Sequence, residues 1–572
     1  MKKILYFWLV VFSIITYKAQ TTTWNGSSWS NGIPNSTTDA IINGNFTQYA
    51  GLISKNLTIN QGYTYTVNDG QRLLINGNFT NNGKIYLRND AVITQVSDNS
   101  VYSGTGTATV ERQAKLKQKD YNYWSAPVQG QNIYSFSIGT PQQYFFSYNE
   151  ADDKFYSQVL NSSSVFMPGI GYAIRGKNSY SLTVPTTEVF LFSGALNNGP
   201  ITVNLKKSNG ADKGYNLVGN PYPSNIALKY FYNGGNAKSI FPKQFFWTNI
   251  NEVTLQQGSA YKGNNYATIV LGVGSVGPTY VTGNVEETSL RPQAYTKLGQ
   301  GFIVQARYNN APLVFNNSMR TNTAGGSIFY NKTNEGDDNG EDEPQEPEPI
   351  IDRYWLKLIS PDNIANNILI AHIAEATNNY DEDYDAALFT MGNDTFYSVV
   401  GTNKLQIQAR AFPISDSDVI PLAYKTSKAG NCIIALNDKD GVFKDSNKAI
   451  YLKDKVTGTV TNLQEGYYTF NSEVLTTPND SRFEILYANS VLAADNAAIN
   501  QWVVYKQDTD WVVRGNDRIN GLDLYDASGK LVRSLAGNNT GEVRLSNVGL
   551  TKGLYVMKIK TGKGTVTKKL LN

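Results

Sequence analysis

The hexapeptide INGNFT occurs twice, at 42–47 and at 75–80, and each copy alternates apolar and polar residues around an Asn-Gly turn. Between and after the copies runs NLTINQGYTYTVNDGQRLLINGNFTNNGKIYL, a series of alternating runs of four to six residues broken by Gly, Asn and Asp. Alternation with period two sends one set of side chains inward and the other outward, and regular repetition lets each unit cover the apolar edge of the next. Residues 20–110 are therefore expected to form a repeat-containing β domain, stacked as the rungs of a β-helix or flattened into a sandwich.

The rest of the chain uses the same vocabulary. Gly is abundant at 49 residues and the aromatic fraction is 12%, with 37 Tyr, which favours strands and turns. An all-β, multi-domain protein is expected from 572 residues. A second, looser duplication follows the first. YNYWSAPVQGQNI begins at Tyr121 and YNLVGNPYPSNI at Tyr215, then QYFFSYN at Gln143 and QFFWTNI at Gln244, then GIGYAIRG at Gly169 and GQGFIVQA at Gly299. Three features in the same order predict two related β modules, 111–210 and 211–330. The second carries an insertion around SAYKGNNYATIVLGVGSVGPT, which reads first as a long surface hairpin and second as a binding loop.

From Asn334 the stretch NEGDDNGEDEPQEPEP has no apolar side chain, so 331–350 is expected to be an extended linker beyond which the chain moves as a separate body. Runs such as YWLKLIS, NILIAHIAEA and NCIIALN predict a sandwich-like module over 351–488. Seven short strands in 489–572 predict a small antiparallel β-sandwich. At the other end, two lysines precede an apolar run from Ile4 to Ile15, the pattern of a signal peptide over 1–19. That run falls short of the ~20 residues that span a bilayer, so no integral membrane segment is expected in the mature chain. Cys432 is the only cysteine, which excludes an intrachain disulfide. A net charge of +3 gives no case for nucleic acid.

No catalytic constellation is present, and no catalytic or cofactor-binding residue is assigned. With His372 as the only histidine, multi-histidine metal centres are impossible; a structural or surface histidine is expected there in place of a general base, and a buried inert thiol is expected for Cys432 in its apolar strand. Carboxylates cluster at Asp152 and Asp153, at Asp381, Glu382, Asp383 and Asp385, and at Asp416 and Asp418, each in a turn-like context where Asp is favoured for local hydrogen bonds. Paired acids are what a glycosidase needs. Asp381, Asp383 and Asp385 at alternate positions are a candidate Ca²⁺ ligand set, against the default of a solvated turn. Trp24 and Trp29, in TTTWNGSSWSNGIPN, are a candidate glycan platform, against the default of half-buried packing.

The segment LDLYDASGKLV, followed by LSNVGLTKGLYVMKIKTGKGTVTKKLL, resembles the C-terminal sorting domain of the type IX secretion system of Bacteroidetes, closest to type A. The carrying residues are Tyr525, Asp526, Gly529, Lys530, Gly553, Tyr555, Lys568 and Lys569. WNGSSWSNGIPN, YWSAPV, GNPYPS, GQGFIV and FNNSMR resemble modules of large flavobacterial adhesin-like surface proteins, as RYWLKL and IQARAFPISDSDVIPLAY resemble the module before their sorting signal. The resemblance implies the type IX machinery as partner, passage through the periplasm, and a secreted or outer-surface location. It implies a non-enzymatic adhesin-like role on surface glycans or other extracellular polymers. The rival expectation is a secreted glycan-active enzyme or a carbohydrate-binding accessory protein.

Overall fold

The computed structural model describes residues 20–488 and 502–572, apart from 211–212, 250–263, 283–285, 290, 293, 322–350, 390, 446–447, 508, 516–517, 527–528 and 563. The expected signal peptide, the acidic linker and the bridge before the last domain lie outside the described residues.

The N-terminal region is a β-helix. Its strands pair in parallel on three faces: one from Thr21–Trp24 through Asp39–Ile42, Leu57–Ile59 and Phe79–Asn81 to Tyr102–Ser103, a second from Phe46–Gln48 through Thr64–Val67 and Lys84–Leu87 to Thr107–Leu116, and a third of Leu52–Ser54, Arg72–Ile75 and Val92–Gln95. Inward positions such as Ile42, Ile59, Val67, Ile75, Phe79 and Leu87 are completely buried, as the period-two pattern requires. At one corner an asparagine ladder carries the stacking. Asn56 Oδ1 accepts the backbone N–H of Asn78 at 2.8 Å, and Asn78 Oδ1 accepts that of Val101 at 2.9 Å. The two identical hexapeptides do not mark the coil repeat. The first leads out of the Asp39–Ile42 strand onto the second face, whereas the second leads from the Arg72–Ile75 strand into Phe79–Asn81 on the first face.

The two modules have the same strand order. In the first it is Tyr121–Trp124, Tyr172–Arg175, Phe145–Asn149, Lys154–Ser157; in the second it is Tyr215–Gly219, Gly301–Ala306, Ile240–Trp247, Tyr266–Val270, with one further strand, Gly274–Val276. All neighbours are antiparallel, and a four-residue helix follows the first strand of each, at Ile133–Phe136 and Leu228–Phe231. The two halves meet by exchanging equivalent contacts. Trp124 bridges Gln300 while its counterpart Val218 bridges Ile170, the counterpart of Gln300. The N–H of Ser125 donates to Gly299 O and that of Gly219 to Gly169 O, both at 3.0 Å. The pair is thus related by a pseudo-two-fold axis, the symmetry of an isologous dimer. The expected boundary at 110 falls inside the strand Thr107–Leu116, which pairs with Thr186–Gly194 of the first module and so joins β-helix to module. Likewise Ile201–Leu205, ahead of the boundary at 210, pairs with Ala311–Phe315 of the second.

The region after the linker is built on one long, mainly antiparallel sheet that includes Asp352–Ile359, Ile364–Ile373, Asn403–Ala411, Val419–Lys425 and Gly430–Asp440. It does not sit apart as a separate body. Thr279–Thr282 of the second module pairs with Ile364–Ile373, and Val270, Val273 and Val276 share one apolar core with Trp355, Leu369, Ala371 and Ile407. The described part of the Gly-rich insertion is therefore buried docking structure, since its valines need a second apolar face and the third region supplies one. Polar groups lock the contact: Trp355 Nε1 donates to Ser275 O at 2.8 Å, Arg353 Nη1 to Val273 O at 2.8 Å, and Asn367 Nδ2 to Gly277 O at 2.9 Å.

The last domain is a seven-stranded antiparallel sandwich. Trp502–Gln507, Asp510–Gly515 and Glu542–Ser546 form one sheet, and Leu531–Ala536, Ile519–Asp526, Leu554–Thr561 and Gly564–Leu571 the other, over a core of Trp511, Val513, Leu522, Leu524, Leu545, Met557 and Ile559.

Candidate functional site

The residues that carry the sorting-domain resemblance are scattered over 45 positions of sequence, and the four-stranded sheet gathers them at one end. Asp526 pairs with Tyr555 and Tyr525 with Val556, and on the far side Tyr555 pairs with Leu570, Val556 with Lys569 and Met557 with Lys568. The Asp-to-Lys turn is closed three times. Asp526 N–H donates to Lys530 O, Lys530 N–H to Asp526 Oδ1, and Gly529 N–H to Asp526 O, all at 3.0 Å. Gly529 takes a φ of +85°, which a side chain would strain, and this accounts for glycine at that place. Behind the turn, Gly553 and the last residue, Asn572, exchange backbone hydrogen bonds, and the buried Tyr555 hydroxyl donates to Thr551 O at 2.8 Å. Lys558 Nζ lies 5.0 Å from the Tyr525 ring centroid, and Lys530, Leu531 and Leu554 are exposed beside it. One sheet end thus offers a rigid surface of mixed cationic and apolar character.

The other candidates are occupied in different ways. Asp381, Asp383 and Asp385 do not converge. Asp381 caps Thr377, Asp383 pairs with Arg307, and the buried Asp385 accepts the N–H of Asp381 and of Ala409, each at 2.8 Å. No group of three or more His, Cys, Asp and Glu side chains suited to a metal ion occurs among the described residues. Desolvation pushes the Asp385 carboxyl up to about 7, and burial lowers Lys243, whose Nζ donates to Asp385 O at 2.8 Å, to about 8. This pair belongs to the joint between the second module and the third region. Asp152 and Asp153 bind the hydroxyls of Tyr156 and Tyr148, Asp416 pairs with Lys448, and Asp418 with Arg410. Trp24 and Trp29 are half-buried and pack tilted and edge-on against Phe46, at 4.8 and 5.4 Å between centroids, beside the β-helix core, where Trp24 Nε1 donates to Asn45 O.

His372 is buried, with Nε2 2.7 Å from the Tyr487 hydroxyl and Nδ1 3.1 Å from Ala411 O, and burial pulls its pKa down to about 4. Tyr487 in turn lies 2.9 Å from the Tyr354 hydroxyl. This buried chain fastens the last strand of the third region, a role that HIAEA alone did not disclose. Burial raises the Cys432 thiol to about 12, which leaves it unreactive.

The sequence profile of a family described as a domain of unknown function, DUF8693, matches residues 16–487. The chain belongs to that family. Its DUF8693 region ends at Tyr487, the residue bonded to His372, and so takes in the β-helix, both modules and the third region as one unit. A second profile, a secretion system C-terminal sorting domain, matches residues 511–571 and begins within the Asp510–Gly515 strand, leaving out the first strand of the sandwich. This DUF8693 protein is therefore cargo of type IX secretion, exported to the cell surface or the extracellular space. No helix of the described residues is long and apolar enough to cross a membrane. No curated protein matches the chain. Two solved structures share faint likeness. A DUF3244 family protein with an immunoglobulin-like β-sandwich fold from Bacteroides vulgatus is 14% identical over 13% of this chain and 84% of its own, with a TM-score of 0.12. The BSP domain of a biofilm associated protein is 10% identical over 81% of this chain and 95% of its own, with a TM-score of 0.13. At such scores neither bears on fold or function.

Proposed function

We propose that the mature protein is a non-enzymatic, adhesin-like component of the cell surface or extracellular matrix, which holds surface glycans or other extracellular polymers through its β modules. The observation that carries the reading is the sorting domain, which gives a large β protein an extracellular address. The state of the acidic clusters supports it, because Asp152, Asp153, Asp383, Asp416 and Asp418 are each tied to a tyrosine hydroxyl or a cation instead of standing as a free acid and base pair. Display of many copies turns weak contacts into firm attachment. The test is retention of the purified secreted protein on a panel of polysaccharides, read together with release of reducing ends. Retention without turnover is expected; turnover of any polysaccharide sinks the reading. Removing residues 502–572 is expected to leave the protein in the periplasm, and normal surface display of that truncated form would refute the address.

A further inference from the structure

The β-helix and the tandem modules meet along a cleft of about 290 Å³, near the low end for ligand sites. One wall is the corner loop 96–101 between the strands Val92–Gln95 and Tyr102–Ser103; the other is built from Gln129 and residues 196–200 of the first module.

This loop is fixed from distant parts of the chain. Ser97 O accepts Asn317 Nδ2 at 2.8 Å, Asp98 Oδ1 accepts the Ser318 N–H at 2.9 Å, and Ser100 O accepts Asn198 Nδ2 at 2.6 Å. Asn198 is itself held by Arg320 Nη1 at 2.9 Å. An exposed corner loop tied down in this way presents its polar groups at fixed positions, which lowers the ordering cost of binding.

The groups it presents are unspent. Asp98, Asn99 and Gln129 are exposed. Among the described residues, neither side-chain amide has a hydrogen-bond partner, and Asp98 has a second carboxylate oxygen beyond the one bound to Ser318. The lining also includes the exposed Val101 and Pro200, the buried Leu196 and the half-buried Tyr102.

We propose that this cleft binds one or two residues of a neutral glycan. The assignment rests on the reading of the chain as a polymer-holding protein and gives that reading a location and a ligand class. A sugar offers neighbouring hydroxyls, which both donate and accept, on a ring with apolar C–H faces. A planar carboxylate and two planar amides in a lining that also holds Val101 and Pro200 complement both features. The Asp98 charge disfavours uronic acids and phosphates, and a wholly apolar ligand would leave the three polar groups desolvated and unpaired. A single carboxylate is too poor a set for Ca²⁺.

The test is calorimetric titration of the full secreted protein with neutral di- and trisaccharides of hexose and N-acetylhexosamine, and with their uronate counterparts. Neutral sugars are expected to bind and uronates to bind more weakly. Gln129→Ala is expected to weaken binding about tenfold or more with the melting temperature unchanged, and Asp98→Ala to weaken it at least as much while also releasing the loop from Ser318. Asp98→Asn keeps an acceptor for the Ser318 N–H, so its weakened binding separates lost recognition from a lost loop. The proposal is overturned if no neutral sugar binds, if uronates bind more tightly, or if binding survives both substitutions. Retention on whole polysaccharide is measured in the same variants. Unaltered retention removes the cleft and leaves the adhesin-like reading standing, whereas sugar binding without retention on any polymer does the reverse.

Discussion

Gly171 and Gly301 occupy equivalent places in the two modules and serve the same purpose. A Cβ on Gly171 would come within 2.6 Å of Val218 O, and one on Gly301 within 2.9 Å of Tyr123 Cβ, so the halves can approach only where no side chain intervenes. Gly301→Ala is expected to cost about 1–3 kcal/mol, whereas Gly51→Ala, in open space, should change stability by less than about 0.5 kcal/mol. Urea unfolding of both variants checks this. His372 gives the chain a pH dependence whose sign follows from its environment. Its folded pKa of about 4 lies below the ordinary 6.5, so the neutral ring is the form the fold accepts. The stability it contributes is complete above pH 6.5 and is lost as pH falls towards 4, by about 3 kcal/mol in all. The difference in unfolding free energy between the native protein and His372→Asn, measured from pH 7 to pH 4, should shrink across that window; a difference that stays constant would contradict the burial argument. The GxG pairs were legible as repeated text, but their reason was not, because it lies in contacts distant in sequence, from Gly171 to Val218 and from Gly301 to Tyr123.

Among elements, the β-helix was the most legible, since period-two alternation with turns at short intervals is imposed by the rung geometry itself. The hexapeptides misled on period, and the reason is local. INGNFT encodes a corner, strand out and strand in, and a three-faced coil has three corners at which the same six residues serve equally well. Trp24 and Trp29 show the opposite difficulty. Aromatic side chains that close the open end of a solenoid core cannot be told from a sugar platform by sequence, because both put a ring beside polar turns. The edge-on packing of Trp29 against Phe46 next to the core predicts that Trp29→Ala lowers stability by about 2 kcal/mol. Hydrogen exchange should show the loss concentrated in Asp39–Ile42 and Phe46–Gln48, with retention on glycans unchanged. The acidic turn at Asp381–Asp385 is a third case. Which carboxylate meets Arg307 and which is buried under the second module depends on a partner surface that the turn's own residues do not specify.

For the whole molecule, the acidic stretch at 331–350 suggested two bodies, yet the apolar core shared by Val270, Val273 and Val276 with Trp355 and Leu369 makes one. A linker's composition tells what the linker can do and not whether its ends are docked. A protease that cuts within 331–350 is accordingly expected to give two fragments that stay together in size-exclusion chromatography without denaturant. Fragments that separate would show the docking to be too weak to matter. The pseudo-two-fold between the modules has a consequence for how they are used. Contacts exchanged between equivalent residues give the two halves, joined in one chain, the interface of an isologous dimer. The first half is joined to the β-helix through Thr107–Leu116 and the second carries the insertion on which the third region rests, so two like halves serve two unlike neighbours.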